Sequence, residues 1–120
     1  MPTEGQLAGS RRISSVVTPA RSVSVSATIC DVTALGAIEY PVAVLGSGGV
    51  LLGALHPTAL ALPDNTPVER AMIPAPATIR PEMRIDDVAK QLQHDRLGQV
   101  FVTTVAGELI GLVVTGDLHV

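Results

Sequence analysis

The sequence predicts an α+β fold in which one unit (short strand, helix, β-hairpin, helix) occurs twice. Three observations predict it. The chain of 120 residues is 47% apolar and only 16% charged, so it folds around a core rather than staying disordered. With one Phe, one Tyr and no Trp, that core is made of Val, Leu, Ile and Ala, which suit strands and small, close-packed helices, while eleven Gly and nine Pro cut the chain into short elements. Finally, the order of elements in the first half returns in the second.

Residues 1–12 are mostly small and polar without periodicity and read as a loose tail. Patterning starts at Ile13. Arg21 to Ser26 alternates apolar and polar side chains, the mark of a short strand. Ala27 to Ile38 carries Ile29, Val32, Leu35 and Ile38 at spacings of three, which predicts a helix with one apolar face. Val42 to Leu45 and Val50 to Leu55 are apolar runs around Gly46 to Gly49, hence a hairpin. Pro57 suits the first position of a helix that continues through Leu62, and Pro63 to Pro67 is a turn-rich linker.

In the second half, Val68 to Ile73 reads as an amphipathic helical turn that stops at Pro74, and Ala77 to Arg80 as an extended piece before Pro81. Ile85, Val88, Ala89 and Leu92 space a helix over Arg84 to Asp95, with Asp86 and Asp87 in the first turn, where acids suit the helix dipole. Gln99 to Thr104 and Leu109 to Val114 are strands about a turn at Ala106 to Glu108, and Gly116 to Leu118 opens a last helix that Val120 cuts short. That cut end suggests a domain excised from a longer protein or an unusually short one.

The halves align. Val17 to Pro19 matches Met72 to Pro74, Ile29 to Val32 matches Ile85 to Val88, and Pro41 to Val44 matches Gln99 to Val102. Gly49 and Gly53 match Gly107 and Gly111 at the same spacing, with the offset drifting from about 55 to about 58 through loop indels. The repeats divide the chain into 13–62, a linker at 63–67, and 68–120.

Met72, Thr78 to Pro81, Ile85 to Val88, Val100 to Val102, Gly107, Leu109 to Gly111 and Asp117 with Leu118 follow one another as in the cystathionine-β-synthase (CBS) domain, which the second half resembles. The first half, 13–60, is similar but degenerate. The resemblance implies two tandem repeats packed about a pseudo-two-fold axis through their sheets, as in a Bateman-type regulatory module. It further implies a homodimer, no required cofactor, and an adenosine-containing ligand such as AMP, ATP or S-adenosylmethionine. Asp117 is then the acceptor for ribose hydroxyls, a role a fixed carboxylate fills well. The base would lie among Ile79, Val100 and Val102, with Thr78 and Thr115 as polar neighbours. Val114 stands where the family carries Thr or Ser, three residues before the Asp. In the first repeat His56 takes that hydroxyl position and Ala59 the Asp position, leaving a weaker cleft near Val23, Tyr40 and His56. The resemblance therefore implies one nucleotide site per chain. Capping of a helix first turn is the structural alternative for Asp117. The rival function is an interaction or dimerisation module without a ligand, which the degenerate first site and the paucity of charge favour.

Other classes find little support. A net charge of −3 argues against a nucleic-acid backbone binder. The single Cys30 excludes an intrachain disulfide and a cysteine-rich zinc site, fits a reducing cytoplasm, and reads as a small buried apolar residue. The N-terminus shows no secretory pattern. Tyr40 to Pro63 has no charged residue, but Gly46 to Gly49, Gly53, Pro57 and Pro63 break it into a hairpin and a helix, so no membrane insertion is expected. Gly46 to Gly49 is followed by Val50 rather than a Lys-Ser/Thr pair, which makes it a turn and not a phosphate loop. His56, His94 and His119 lack metal-ligand spacing. His94 reads as exposed and His56 as a partly buried structural residue. No nucleophile–base constellation appears, so no enzyme is expected. Arg11, Arg12 and Arg21 form a small basic cluster that reads as a solvated terminus.

Overall fold

The structure is a computed structural model that describes residues 11–118, apart from the side chain of Asp117. Helices and two small sheets form two compact units that interleave along the chain. One contains residues 20–76 and 106–109, and the other the described parts of 1–19, 77–105 and 110–120.

The unit of residues 20–76 holds β1 (Ser22–Ser24), α1 (Ile29–Thr33), β2 (Val42–Leu45), β3 (Leu51–Leu55), α2 (Val68–Ala71) and β4 (Ile73–Pro74). Its sheet runs β1-β2-β3-β4, with β1 parallel to β2 and the other pairs antiparallel. Ile29, Val32, Val42, Val44, Leu55 and Val68 form its core. The β2–β3 turn needs glycine, because Gly48 and Gly49 take φ of 72° and 78°.

Two elements depart from the periodicity. α1 stops at Thr33, well short of Ile38, and Leu35 is exposed. The helix begins on a capping box, the Thr28 N–H donating to Asp31 Oδ2 at 2.9 Å. The chain leaves the helical path at Gly36, left-handed at φ 94°; the Thr33 hydroxyl donates to the Ile29 and Cys30 carbonyls within the last turn, and the Arg21 guanidinium donates to the Leu35 carbonyl just past it. On this short helix Ile29 and Val32 face inward and Cys30 is exposed, so the burial expected of Cys30 is corrected. The second departure is at Val68 to Ile73. The helix ends at Ala71, Met72 is extended, and Ile73–Pro74 pair with β3 (Ala54↔Ile73, Gly53↔Pro74). Pro74 is tolerated there because β4 is an edge strand. Gly53 is required at the crossing, since a Cβ would meet the Met72 side chain and the Ile73 carbonyl.

The other unit holds β5 (Thr78–Ile79), α3 (Ile85–Asp95), β6 (Gln99–Thr103) and all but the first residue of β7 (Leu109–Val114), with a sheet of order β5-β6-β7. α3 matches its periodicity: Ile85, Val88 and Leu92 are buried, Arg84 and Asp86 pair at 3.7 Å across its start, and Arg96 ends it with φ 57°. Its core adds Ile79, Val100, Val102, Val113, Leu118 and, from far away in sequence, Ile13. Ile13 is fully buried in a 3-10 turn, Ile13–Ser15, and its N–H donates to the Met83 carbonyl at 2.9 Å. Of the tail read at 1–12, residues 1–10 lie outside the described residues. Arg11 and Arg12 are tied by backbone to the start of α3, through a bridge from Arg12 to Arg84 and the Ile85 N–H donating to the Arg11 carbonyl. Thr18 bridges Leu112, and a Cβ on Gly111 would meet the Thr18 carbonyl and Val17. Thr115–Asp117 is a single 3-10 turn where a helix was expected to open.

Candidate functional site

The β5–α3–β6 segment is a parallel strand pair with a helical crossover, and such arrangements present ligand-facing groups at the carboxyl ends of their strands. The register Thr78↔Phe101 and Ile79↔Val102 makes Arg80 and Thr103 the next pair, just past the ladder. There the Arg80 Nη1 donates to the Thr103 hydroxyl at 2.7 Å, the Thr78 hydroxyl at 3.0 Å and the Ile79 carbonyl at 3.3 Å. Arg80 is half-buried. Thr103 is 1% exposed and is the one buried polar side chain among the described residues. Strand alternation explains the placement. Val100 and Val102 enter the apolar cluster with α3, while Phe101 and Thr103 are buried on the opposite face. Sequence reasoning missed Arg80 and Thr103. The available signal was a cation held extended before Pro81 and a threonine ending an apolar strand.

The residues singled out in the sequence are not gathered at one point. The Thr78 hydroxyl accepts from Arg80. Ile79, Val100 and Val102 are 2%, 4% and 0% exposed in the core, so their side chains give a solute no surface. Val114 and Thr115 are half-buried at the end of β7. The Thr115 hydroxyl donates to the Leu97 carbonyl at 2.7 Å and its N–H to the Gly98 carbonyl at 2.9 Å, both just before β6. Thr78 is level with Phe101, so the two threonines are offset along β6 by about 10 Å, three residues at strand rise. The Asp117 side chain lies outside the described residues, as does His119.

In the other unit, Val23 packs partly buried against the core and Tyr40 is 41% exposed. His56 is exposed, which corrects the expectation of a partly buried residue. Its Nδ1 accepts the Thr58 N–H at 3.2 Å and lies 2.9 Å from the Thr58 hydroxyl, capping the 3-10 turn Pro57–Ala61. A capping role turns the ring outward, alongside a turn whose Ala59 and Leu60 pack inward. His94 is exposed at the end of α3, as read from the sequence. Among the described residues no three His, Cys, Asp or Glu side chains could share a metal ion. No helix among them is long and apolar enough to cross a membrane.

A family profile described as "CBS domain" matches residues 68–119. Among curated proteins none matches the chain by sequence. The chain is similar in structure to the CBS domains of a transcriptional regulator from Streptococcus pneumoniae, with a TM-score of 0.79 at 15% identity, covering 89% of this chain and 95% of that one. It is similar to CBSX2, solved in complex with AMP, with a TM-score of 0.79 at 20% identity over 90% of this chain and 93% of that one. It is also similar to the cytosolic domain of the Mg2+ channel MgtE, solved in complex with ATP, with a TM-score of 0.78 at 22% identity over 86% of this chain. It spans 45% of that MgtE chain.

Proposed function

We propose, for a chain that carries a CBS domain at residues 68–119 and has the fold of tandem CBS structures, a regulatory module that senses an adenosine nucleotide. The observation that carries this reading is that structures of the same fold are complexes with AMP or ATP: CBSX2, the MgtE cytosolic domain, and the CBS domain of a bacterial CNNM/CorC family Mg2+ transporter. The mechanism is energetic. A ligand that binds one arrangement of the module better than another shifts the population a partner meets. The module itself performs no chemistry, acts in the cytoplasm, and works as a homodimer. Its apolar surface supports that assembly: Tyr40, Leu52, Leu62 and Ile73 are exposed large hydrophobic residues of one unit.

Asp117 accepts the ribose hydroxyls in this reading, and Thr78 and Thr115 are polar contacts. Ile79, Val100 and Val102, whose side chains are in the core, contribute through their backbone. Each chain binds one nucleotide, because Ala59 replaces the acceptor in the first repeat. S-adenosylmethionine belongs to the same ligand class and enters the test. Thermal unfolding with AMP, ATP, adenosine and S-adenosylmethionine decides the matter, since a ligand at a hundred times its Kd stabilises the native state by about 2.7 kcal/mol. No shift with any of them at millimolar concentration favours the ligand-free dimerisation module, the reading to which Ala59 at the acceptor position lends weight. Asp117→Ala then separates the two roles of that residue. Loss of a ribose acceptor weakens nucleotide binding by about 1.5–3 kcal/mol. Loss of a cap costs about 1 kcal/mol of stability and leaves affinity unchanged. Asp117→Asn, which keeps size and capping ability, is the control.

A further inference from the structure

We infer that Arg80 is an anion-recognition residue that holds a phosphate group of the ligand through the free edge of its guanidinium. The inference deepens the proposed nucleotide reading and rests on it only for the adenosine part of the ligand.

Arg80 is half-buried, yet everything its guanidinium touches among the described residues is neutral: two hydroxyls and a backbone carbonyl. All three bonds come from Nη1. No carboxylate among the described residues lies within ion-pair distance of it, the pair across the start of α3 being made by Arg84. A cation taken partly out of water, with no counter-charge among the described residues, gains from a ligand that supplies one. The opposite edge of the fork, Nε with Nη2, keeps three N–H donors without a protein partner among the described residues. Two parallel donors in that geometry match two oxygens of a phosphate, and charge assistance makes such bonds shorter and stronger than neutral ones.

The support behind the guanidinium is as telling as its free edge. Thr103 occupies a buried position in an otherwise apolar strand, where valine fits the shape without a polar atom to satisfy. Its hydroxyl accepts the shortest of the three bonds, so the threonine fixes the direction of Arg80. Pro81 restricts the backbone of Arg80 to the extended region and so pre-sets the stem as well. Arg80 thus makes the ligand class narrower than adenosine compounds in general. AMP and ATP carry the phosphate that this edge matches, whereas S-adenosylmethionine has no phosphate and offers only the carboxylate of its methionyl end.

The test uses the whole chain with AMP, adenosine and inorganic pyrophosphate as probes, read by calorimetry and by the Arg80 Nε–H resonance in nitrogen-15 NMR. Arg80→Gln is expected to lower AMP affinity at least about tenfold while leaving adenosine within twofold. In the wild-type chain pyrophosphate is expected to move the Arg80 Nε–H resonance, and AMP to compete for it. Thr103→Val is expected to lower AMP affinity by a smaller factor with adenosine unchanged, as a positioning residue should. The inference is overturned if Arg80→Gln binds AMP as tightly as wild type, or loses AMP and adenosine equally. It is also overturned if pyrophosphate leaves the resonance in place while AMP binds. If neither AMP nor adenosine binds but pyrophosphate moves Arg80, the adenosine reading falls and the anion site stands. If no probe has an effect, both fall. The NMR arm needs no variant, so it decides even if Arg80→Gln fails to fold.

Discussion

Gly53 and Gly111 occupy equivalent places in the two repeats, and each has an extended Xaa-Xaa-Pro segment laid against its backbone: Met72 to Pro74 on Gly53, and Val17 to Pro19 on Gly111. The missing side chain is what lets the two backbones approach. Gly111→Ala is therefore expected to destabilise the protein by about 1–3 kcal/mol, because the new Cβ meets a backbone carbonyl that cannot swing aside. Gly98→Ala makes the contrast. It has open space around it and no positive φ, so the variant is expected to gain about 0.4–1 kcal/mol from a less flexible unfolded chain. Urea unfolding of both variants measures the two effects, and a harmless Gly111→Ala would contradict the close approach. The equal spacing of these glycines was visible in the sequence. The segment packed against each was not, since the partners lie far apart in the chain.

At the scale of elements, the two leading segments behave as parts of cores rather than as connectors. Ile13, in a one-turn helix, fills the core built around α3, and Val68, at the head of α2, fills the core built around β2 and β3. Ile13→Ala is expected to cost about 2–5 kcal/mol and to lower hydrogen-exchange protection first in α3 and β6. Val68→Ala is expected to lower it first in β2 and β3. Uniform loss of protection in either variant would show that the units do not open separately. α1 offers a smaller test. It has five residues and a capping box, so Thr28→Ala is expected to cost about 1 kcal/mol. The apolar spacing of three from Ile29 to Ile38 overstated α1, because the left-handed turn at Gly36 and the Arg21 guanidinium on the Leu35 carbonyl hold the chain off the helical path there and leave no trace in hydrophobic periodicity.

For the whole molecule, the expected stoichiometry is one nucleotide per chain by calorimetry, and the expected mass in light scattering is that of a dimer. Two equivalent sites per chain would restore the first repeat as a binding site despite Ala59. A monomer at high concentration would remove the assembly through which ligand binding is proposed to be read.

The sequence by itself determined the hairpin strands, the repeated order of elements and the long helix at Ile85–Asp95, because these follow from local periodicity, turn residues and self-similarity. It also carried the likeness to CBS domains that residues 68–119 support. Only the tertiary structure decided which segments share a core, since contacts between Ile13 and α3, or between Ile73 and Ala54, join residues with no local signal for each other. It alone turned Ile79, Val100 and Val102 inward, left Cys30 and His56 in solvent, and set Arg80 on Thr103. Alternation along a strand says that neighbours face opposite ways, but which way is inside depends on where α3 packs, and that is a property of the folded chain.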